Sequence, residues 1–182
     1  MAGAAESPSK LSSQTASQAF SQATSQLTPL QKQAVDVAQK YISDNSREDV
    51  IRRVLYEFEE LEKYTEKLSR RDAEIAIDSM SINWNEAALQ NANSYLEISG
   101  VSHDKLLQLL TGYIGDRFTN DQARYAMDNI NVDWDLQSVK RVKHLLYVRN
   151  YSCEDMVDQL VIQDLFTVDQ AIHGALITGV CK

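Results

Sequence analysis

The chain repeats itself. Residues 69–84, SRRDAEIAIDSMSINW, align with 119–134, TNDQARYAMDNINVDW, at a spacing of 50. TVDQAIHGALIT, at 167–178, aligns with the start of the latter at a spacing of 48. The stretches ahead of these also correspond. ANSYLEISGVSHDKLLQLL (92–110) matches VKHLLYVRNYSCEDMVDQL (142–160), again at 50, and AQKYISDNSREDVIRRVL (38–55) follows the pattern with two fewer residues before Ser46. A period this short allows each copy only one supersecondary unit. Three units result, 29–84, 85–134 and 135–182, and the first carries about six extra residues around YEFEELEKYTEK.

The period inside each unit is helical. In the second, Ala88, Ala92, Tyr95 and Leu96 fall at i, i+4, i+7 and i+8, and Ala123, Ala126, Met127 and Ile130 fall at i, i+3, i+4 and i+7. Leu106, Leu107, Leu109, Leu110 and Tyr113 supply the apolar face between them. Such spacings build one apolar stripe on a helix and not the alternation of a strand. Helix starts are marked by a hydroxyl followed three residues later by an acid or amide: Ser46/Asp49, Ser69/Asp72, Thr119/Gln122, Ser152/Asp155 and Thr167/Gln170. The hydroxyl can accept from an orphan N–H and the later side chain can bond back to the cap. With only two prolines and six glycines to interrupt it, the chain is predicted to be all-α, a tandem array of three small three-helix, helix-turn-helix-like repeats.

Several aligned positions serve as structural markers: Tyr41 with Tyr95, Ser102 with Ser152, Thr119 with Thr167, and Trp84 with Trp134. The tryptophans close the first two units and are expected to pack at the junctions. Asn83 and Asp133 before them can cap the following helices. Residues 1–28 are dominated by Ser, Gln, Ala and Thr. Too little apolar surface is available there to offset ordering entropy, so the segment reads as a flexible tether with room for a partly helical stretch near 16–26. No apolar run approaches the roughly 18–20 residues of a membrane span, and Met1–Lys10 lacks the apolar stretch of an export signal, so the chain as given reads as soluble. Cys153 and Cys181 lie in no C-x-x-C pair. Two free, partly buried thiols are the preferred reading, with one bridge in an oxidising compartment as the alternative.

The net charge is −8, made up of about +1 over residues 1–32, −4 over 33–84, −4 over 85–134 and −1 over 135–182. An acidic surface repels phosphate backbones and favours basic protein partners. The candidate partner-binding residues are Asp104, Asp116, Asp121, Asp128 and Asp133, chosen on charge alone, and Asp133 doubles as a candidate cap. No catalytic, cofactor-binding or metal-binding set is expected. His103, His144 and His173 are scattered, and no zinc-protease, nucleophile-elbow, phosphate-loop or EF-hand motif occurs. The acidic run Glu57, Glu59, Glu60 and Glu62 with Lys63, Glu66 and Lys67 reads as a solvated helix face with pairs such as Glu59–Lys63.

The second and third units carry a more specific pattern. Tyr95, Leu96, Gly100, Ser102, Leu106 and Leu109, then Phe118, Thr119, Gln122, Ala123, Tyr125, Ala126, Asp128, Ile130, Asp133 and Trp134 resemble the repeat of the host cell surface-exposed lipoprotein family, the Ltp type. Ser152, Gln159, Leu160, Phe166, Thr167, Gln170, Ala171 and Gly174 are similar to that family's terminal repeat. The resemblance implies an exported protein, lipid-anchored outside the cytoplasmic membrane of a Gram-positive cell and often prophage-encoded. It also implies helix-turn-helix-like repeats and a role in superinfection exclusion, blocking DNA injection by a second phage through a phage protein, possible targets being basic proteins of the injection machinery. No export signal or lipid-acceptor cysteine precedes the tether in this sequence, so membrane attachment and cell-surface localisation are implied by the resemblance alone. Two other readings stand beside it. A DNA-binding helix-turn-helix protein should expose Arg, Lys, Asn or Gln toward bases, and the best place for that is the basic stretch Lys140, Arg141 and Lys143. A structural cell-surface or adhesion module is the third.

Overall fold

In the computed structural model, residues 26–43, 45–60 and 66–182 are described. Among them the chain is all-helical, with nine α-helices and no strand. The tether reading for 1–28 lies outside the described residues apart from its last three, and Lys63 of the Glu59–Lys63 pair, with residues 61–65 of the first unit's longer stretch, also lies outside them. The fold divides into two compact units. One takes its described helices from residues up to Asn83, and the other runs from Trp84 to Lys182.

The first unit holds α1 (Pro29–Ala38), α2 (Arg47–Glu60) and α3 (Arg70–Ser79). Each contributes one apolar stripe. Ala34, Ala38, Val50, Ile51, Val54, Ala73, Ala76 and Ile77 are fully buried. Alanine at the crossings lets helix backbones come close, so a small core forms from short helices. Polar ties frame this core. Buried Gln31 donates its amide to Asp72 Oδ1 at 2.8 Å. Glu57 accepts from Lys40 Nζ at 2.6 Å and from the Tyr41 hydroxyl at 2.9 Å. Arg47 reaches both oxygens of Asp78, at 2.7 and 2.8 Å.

The second unit holds two helix triplets. The first comprises α4 (Trp84–Ile98), α5 (His103–Thr111) and α6 (Asn120–Asn129). The second comprises α7 (Trp134–Val148), α8 (Cys153–Asp158), which continues into a π-helical turn over Gln159–Gln163, and α9 (Val168–Ile177). Each triplet has its own buried cluster, one around Ala88, Ala92, Leu106, Leu110 and Ala126, the other around Val142, Met156, Leu160, Ala171 and Ala175. The drop in spacing from 50 to 48 has a local cause. After α5 the chain makes a loop through Gly112 and Gly115, and the Phe118 N–H returns to the Leu110 carbonyl. In the other triplet two residues fewer span the same path. The Asp164 N–H bonds the Gln159 carbonyl, five residues back, and Phe166 returns to Leu160. Aligned Arg117 and Leu165 both take the left-handed conformation, at φ 58° each, and Phe118 and Phe166 enter the two cores alike.

The predicted caps divide by chemistry. Thr119/Gln122 and Thr167/Gln170 form complete reciprocal boxes. So does Thr28/Gln31, with Pro29 at the first helical position, although Thr28 falls within the stretch expected to be a tether. Ser69 and Ser152 accept from the N–H groups of Asp72 and Asp155, both at 3.1 Å, but each carboxylate takes the serine hydroxyl proton instead of reaching back to the cap N–H. Aspartate is one methylene shorter than Gln, and the half-box is the result. Ser102 also caps its helix, accepting from the Lys105 N–H at 3.1 Å. Ser46 is buried immediately before α2.

Two expectations change. Trp84 and Trp134 do not close units; they open α4 and α7. Asp133 supplies the reason for Trp134, since its carboxylate accepts from the N–H groups of Asp135 and Leu136 at 3.0 and 3.1 Å and starts the helix there. Both indoles are half-buried against the α4–α6 core, and Trp134 meets the His103 ring edge-on at 5.4 Å. The cysteines are not free thiols. Cys153 and Cys181 form a disulfide, with Cα atoms 4.8 Å apart. Helix α8 begins where the chain leaving α9 returns, a convergence that a separation of 28 residues does not announce.

Candidate functional site

The five aspartates chosen on charge do not gather into one cleft. Asp121 and Asp128 both stand exposed on α6. Seven residues apart, they share one face about 10 Å apart along the axis. Asp104 is exposed in the first turn of α5 and pairs with His103 Nδ1 at 2.8 Å. Asp116 is half-buried and accepts the Tyr95 hydroxyl at 3.1 Å. Asp133 is the α7 cap. The acidic face therefore reduces to Asp121 and Asp128. Alongside them the Tyr125 hydroxyl donates to Glu86 Oε1 at 2.6 Å, which holds the phenol above its ordinary pKa.

A denser constellation lies where the two triplets of the second unit meet. Gly100 sits at φ 73°, and a Cβ there would run into the Gln137 carbonyl and the Arg141 amide nitrogen. The turn after α4 is thus seated directly on the α7 backbone. Around it the contacts are polar. The Ser102 hydroxyl donates to the Asp164 carbonyl at 2.5 Å, and Arg141 Nη2 donates to Asp164 Oδ1 at 2.8 Å. The Lys140 ammonium donates to the Leu96 carbonyl at 3.3 Å, and the Val101 N–H donates to Gln137 Oε1 at 3.4 Å. Ser102 and Asp164 are both buried. A single marker serine therefore does two jobs: it caps α5 and fastens the triplets together.

Cavities open at the same corner of both triplets. One, of about 290 Å³, is lined by Tyr95, Ile98, Val101, Lys105, Leu109 and Arg141. The other, of about 340 Å³, is lined by Arg149, Tyr151, Asp155, Asp158, Gln159 and Gln163. Val101 aligns with Tyr151, Lys105 with Asp155 and Leu109 with Gln159. The first hollow is apolar with cations at its edge; the second is polar and mainly acidic. Among the described residues no three His, Cys, Asp or Glu side chains stand together as a metal site would need, and no helix is long and apolar enough to cross a membrane.

Charge alone missed the seam and also a run of exposed aliphatics: Leu136, Val168, Ile172, Leu176 and Ile177 are 42–64% exposed. The repeat alignment could have found the latter, because the aligned residues of the preceding triplet are Glu86, Asn120, Arg124, Asp128 and Asn129.

Fold and site define a small all-helical protein, bridged by one disulfide, whose outer helix faces carry the features that distinguish one segment from the next. Residues 83–130 match the model of the host cell surface-exposed lipoprotein family, a stretch that takes in α4, α5 and α6 whole. Comparison with curated proteins and with solved structures finds no match.

Proposed function

We propose that this chain acts at the cell surface as a superinfection-exclusion protein. In this reading it is a tandem array of three helix-turn-helix-like segments, has no catalytic role, and binds a basic protein of an infecting phage's DNA-injection machinery. The observation that carries the reading is the family match over α4–α6. The Cys153–Cys181 disulfide supports an oxidising, extracytoplasmic setting. The net charge of −8 supports a basic partner. The exposed residues of α6, Asp121, Arg124 and Asp128 among them, bring two carboxylates for one guanidinium to the helix that would have to read bases, which disfavours a DNA-reading role.

The test is a challenge of cells displaying the protein on their outer face. Phage adsorption should be unchanged while entry of labelled phage DNA falls. Equal DNA entry with and without the protein rejects the proposal, as does tight binding to duplex DNA in a low-salt gel shift. A D121K/D128K variant should weaken protection while its helical circular dichroism is retained, since both positions are exposed. Full protection by that variant moves the partner surface elsewhere.

A further inference from the structure

Two of the three segments carry a carboxylate at a helix position where the middle segment has a cation. Counting from the aligned serines Ser46, Ser102 and Ser152, the third residue on is Asp49, Lys105 and Asp155, and the seventh is Arg53, Leu109 and Gln159. The residue before each serine is Asn45, Val101 and Tyr151. The middle copy alone therefore combines two aliphatic side chains with an ammonium at this corner. The other copies place polar groups there, so the repeat itself does not require the apolar set.

Val101, Lys105 and Leu109 line the cavity of about 290 Å³ together with Tyr95 and Ile98 of α4 and Arg141 of α7. The seat of Gly100 on the α7 backbone brings Arg141 to that wall. Both cations are half-buried, and both keep donors uncommitted. Lys105 Nζ makes one long contact, 3.5 Å, to the Gln163 carbonyl, beyond the usual hydrogen-bond range. A guanidinium has five N–H donors. In Arg141, Nη2 bonds Asp164 Oδ1, and Nε is buried with no acceptor among the described residues. A buried donor left unmatched is costly, and an acceptor brought into the cavity would relieve it. Among the described residues the lining holds one carboxylate, Asp164, which also accepts from Gln159. Two cations against one anion leave the hollow with an excess positive charge.

We propose that this cavity binds a small apolar monocarboxylate, its aliphatic body against Ile98, Val101 and Leu109 and its carboxylate toward Lys105 and Arg141. Size sets the scale. Ligand pockets run from roughly 300 Å³ upward, so this one takes a group no larger than one amino-acid side chain with its carboxylate. Charge sets the class. One excess positive charge matches one carboxylate, and the apolar wall argues against a free phosphate or sulfate, which would give up its water there without partners on every side. A free acid and the C-terminal leucine of a peptide share this chemistry. The wall draws on α4, α5 and α7, so an occupant touches both triplets. The proposal goes beyond the phage-exclusion reading and does not depend on it.

The experiment is a titration of the full, isotope-labelled chain with sodium 4-methylpentanoate, followed through amide chemical shifts. A ligand this small is expected to saturate in the millimolar range. Saturating shifts should fall on the amides from Ile98 to Leu109 and on Arg141, and not on Tyr151 to Gln159 at the aligned corner. The neutral 4-methylpentanamide should bind about ten-fold more weakly or worse, the scale of a charge-assisted hydrogen bond. K105Q and L109Q should each weaken binding by about three-fold or more, with unchanged circular dichroism; glutamine already stands at the Leu109 place in the last triplet. N-acetyl-leucine binding as well as the free acid, or better, assigns the site to a chain end, and binding of 4-methylpentanoate alone assigns it to a free acid; either supports the proposal. The absence of saturable shifts at the cavity overturns it. Equal binding of the amide, or undiminished binding by both variants, overturns it as well.

Discussion

Gly100 shows how much one backbone position can carry. Its φ of 73° is a conformation that side-chain-bearing residues pay about 1–2 kcal/mol to adopt, and its missing Cβ leaves room for the Gln137 carbonyl. Gly100→Ala meets both penalties, so a loss of about 3 kcal/mol is expected in denaturant unfolding of the second unit. Asn150, its exposed alignment partner, should tolerate alanine within about 0.5 kcal/mol. Equal effects at the two positions would show that the seat on α7 contributes nothing. Asp72 offers a test by pH. The Ser69 hydroxyl, and then the Gln31 amide, hold its carboxyl below the ordinary value. A depressed folded pKa means stability that is fully present above the unfolded value, about 3.9, and lost as pH falls through the folded one. Asp72→Asn should therefore flatten the acid limb of stability for the first unit, read as the shift in its urea midpoint between pH 5 and pH 2.5. A limb of unchanged steepness would assign the acid sensitivity to other carboxylates. Asp72 was legible as the partner of the Ser69 cap, but its bond to Gln31, 41 residues away, was not. Gly100 stood out only as a motif letter, because the partner it makes room for lies 37 residues on, at Gln137.

At the scale of elements the sequence was far more readable, because helix starts and apolar stripes are local. Thr119 and Thr167 announce their helices through side chains within three residues, and the structure places the caps where the hydroxyls stand. The misreadings share a physical origin. The Asp133 cap expected from the sequence is present, and it makes Trp134 the first residue of its helix, so the repeat boundary falls before the indole and not after it. The α8 helix runs into a π turn because the chain is two residues short, a deletion visible in the alignment whose backbone solution was not. The two kinds of cap predict different costs. In Thr119→Ala the box loses its hydroxyl and about 1 kcal/mol is expected to go. Gln122→Ala removes the return bond to the Thr119 N–H at 3.0 Å. Asp155→Ala leaves Ser152 still accepting from the backbone of residue 155, at 3.1 Å in the parent. The Gln122 change should therefore destabilise more than the Asp155 change, apart from the charge effect of Asp155 at its helix start. Thermal unfolding of the three variants at high salt, where that charge effect is screened, checks the order. A larger loss at Asp155 would mean that the hydroxyl–carboxylate bond matters more than the return bond.

For the molecule as a whole, the described residues form nine α-helices, but differences between aligned positions set what the surface can do. Asp128 on α6 and Leu176 on α9 stand at aligned places, while Asp121 aligns with Asp169, so what distinguishes the segments shows only when they are compared, not by scanning for charge. Grouping is the part that stayed hidden. Residues 85–134 and 135–182 read as separate units, yet both lie within one compact unit. The joining groups, Ser102, Arg141 and Asp164, are polar and 23 to 62 residues apart in their bonds, which no hydrophobic pattern reveals. The disulfide acts at this scale as well. It closes a separation of 28 residues around α8 and α9, so chain entropy assigns it about 3–4 kcal/mol. The effect should be confined. In a C153S/C181S variant, hydrogen exchange should quicken for the amides of α8, the π turn and α9, and then for α7, which packs on α9. The amides of α1 to α3 belong to the other compact unit and should exchange as in the parent. If protection falls evenly from Pro29 to Lys182, the chain unfolds as one cooperative body and the bridge supports all of it. If it falls only beyond Trp134, the last triplet is the part that an oxidising environment holds together.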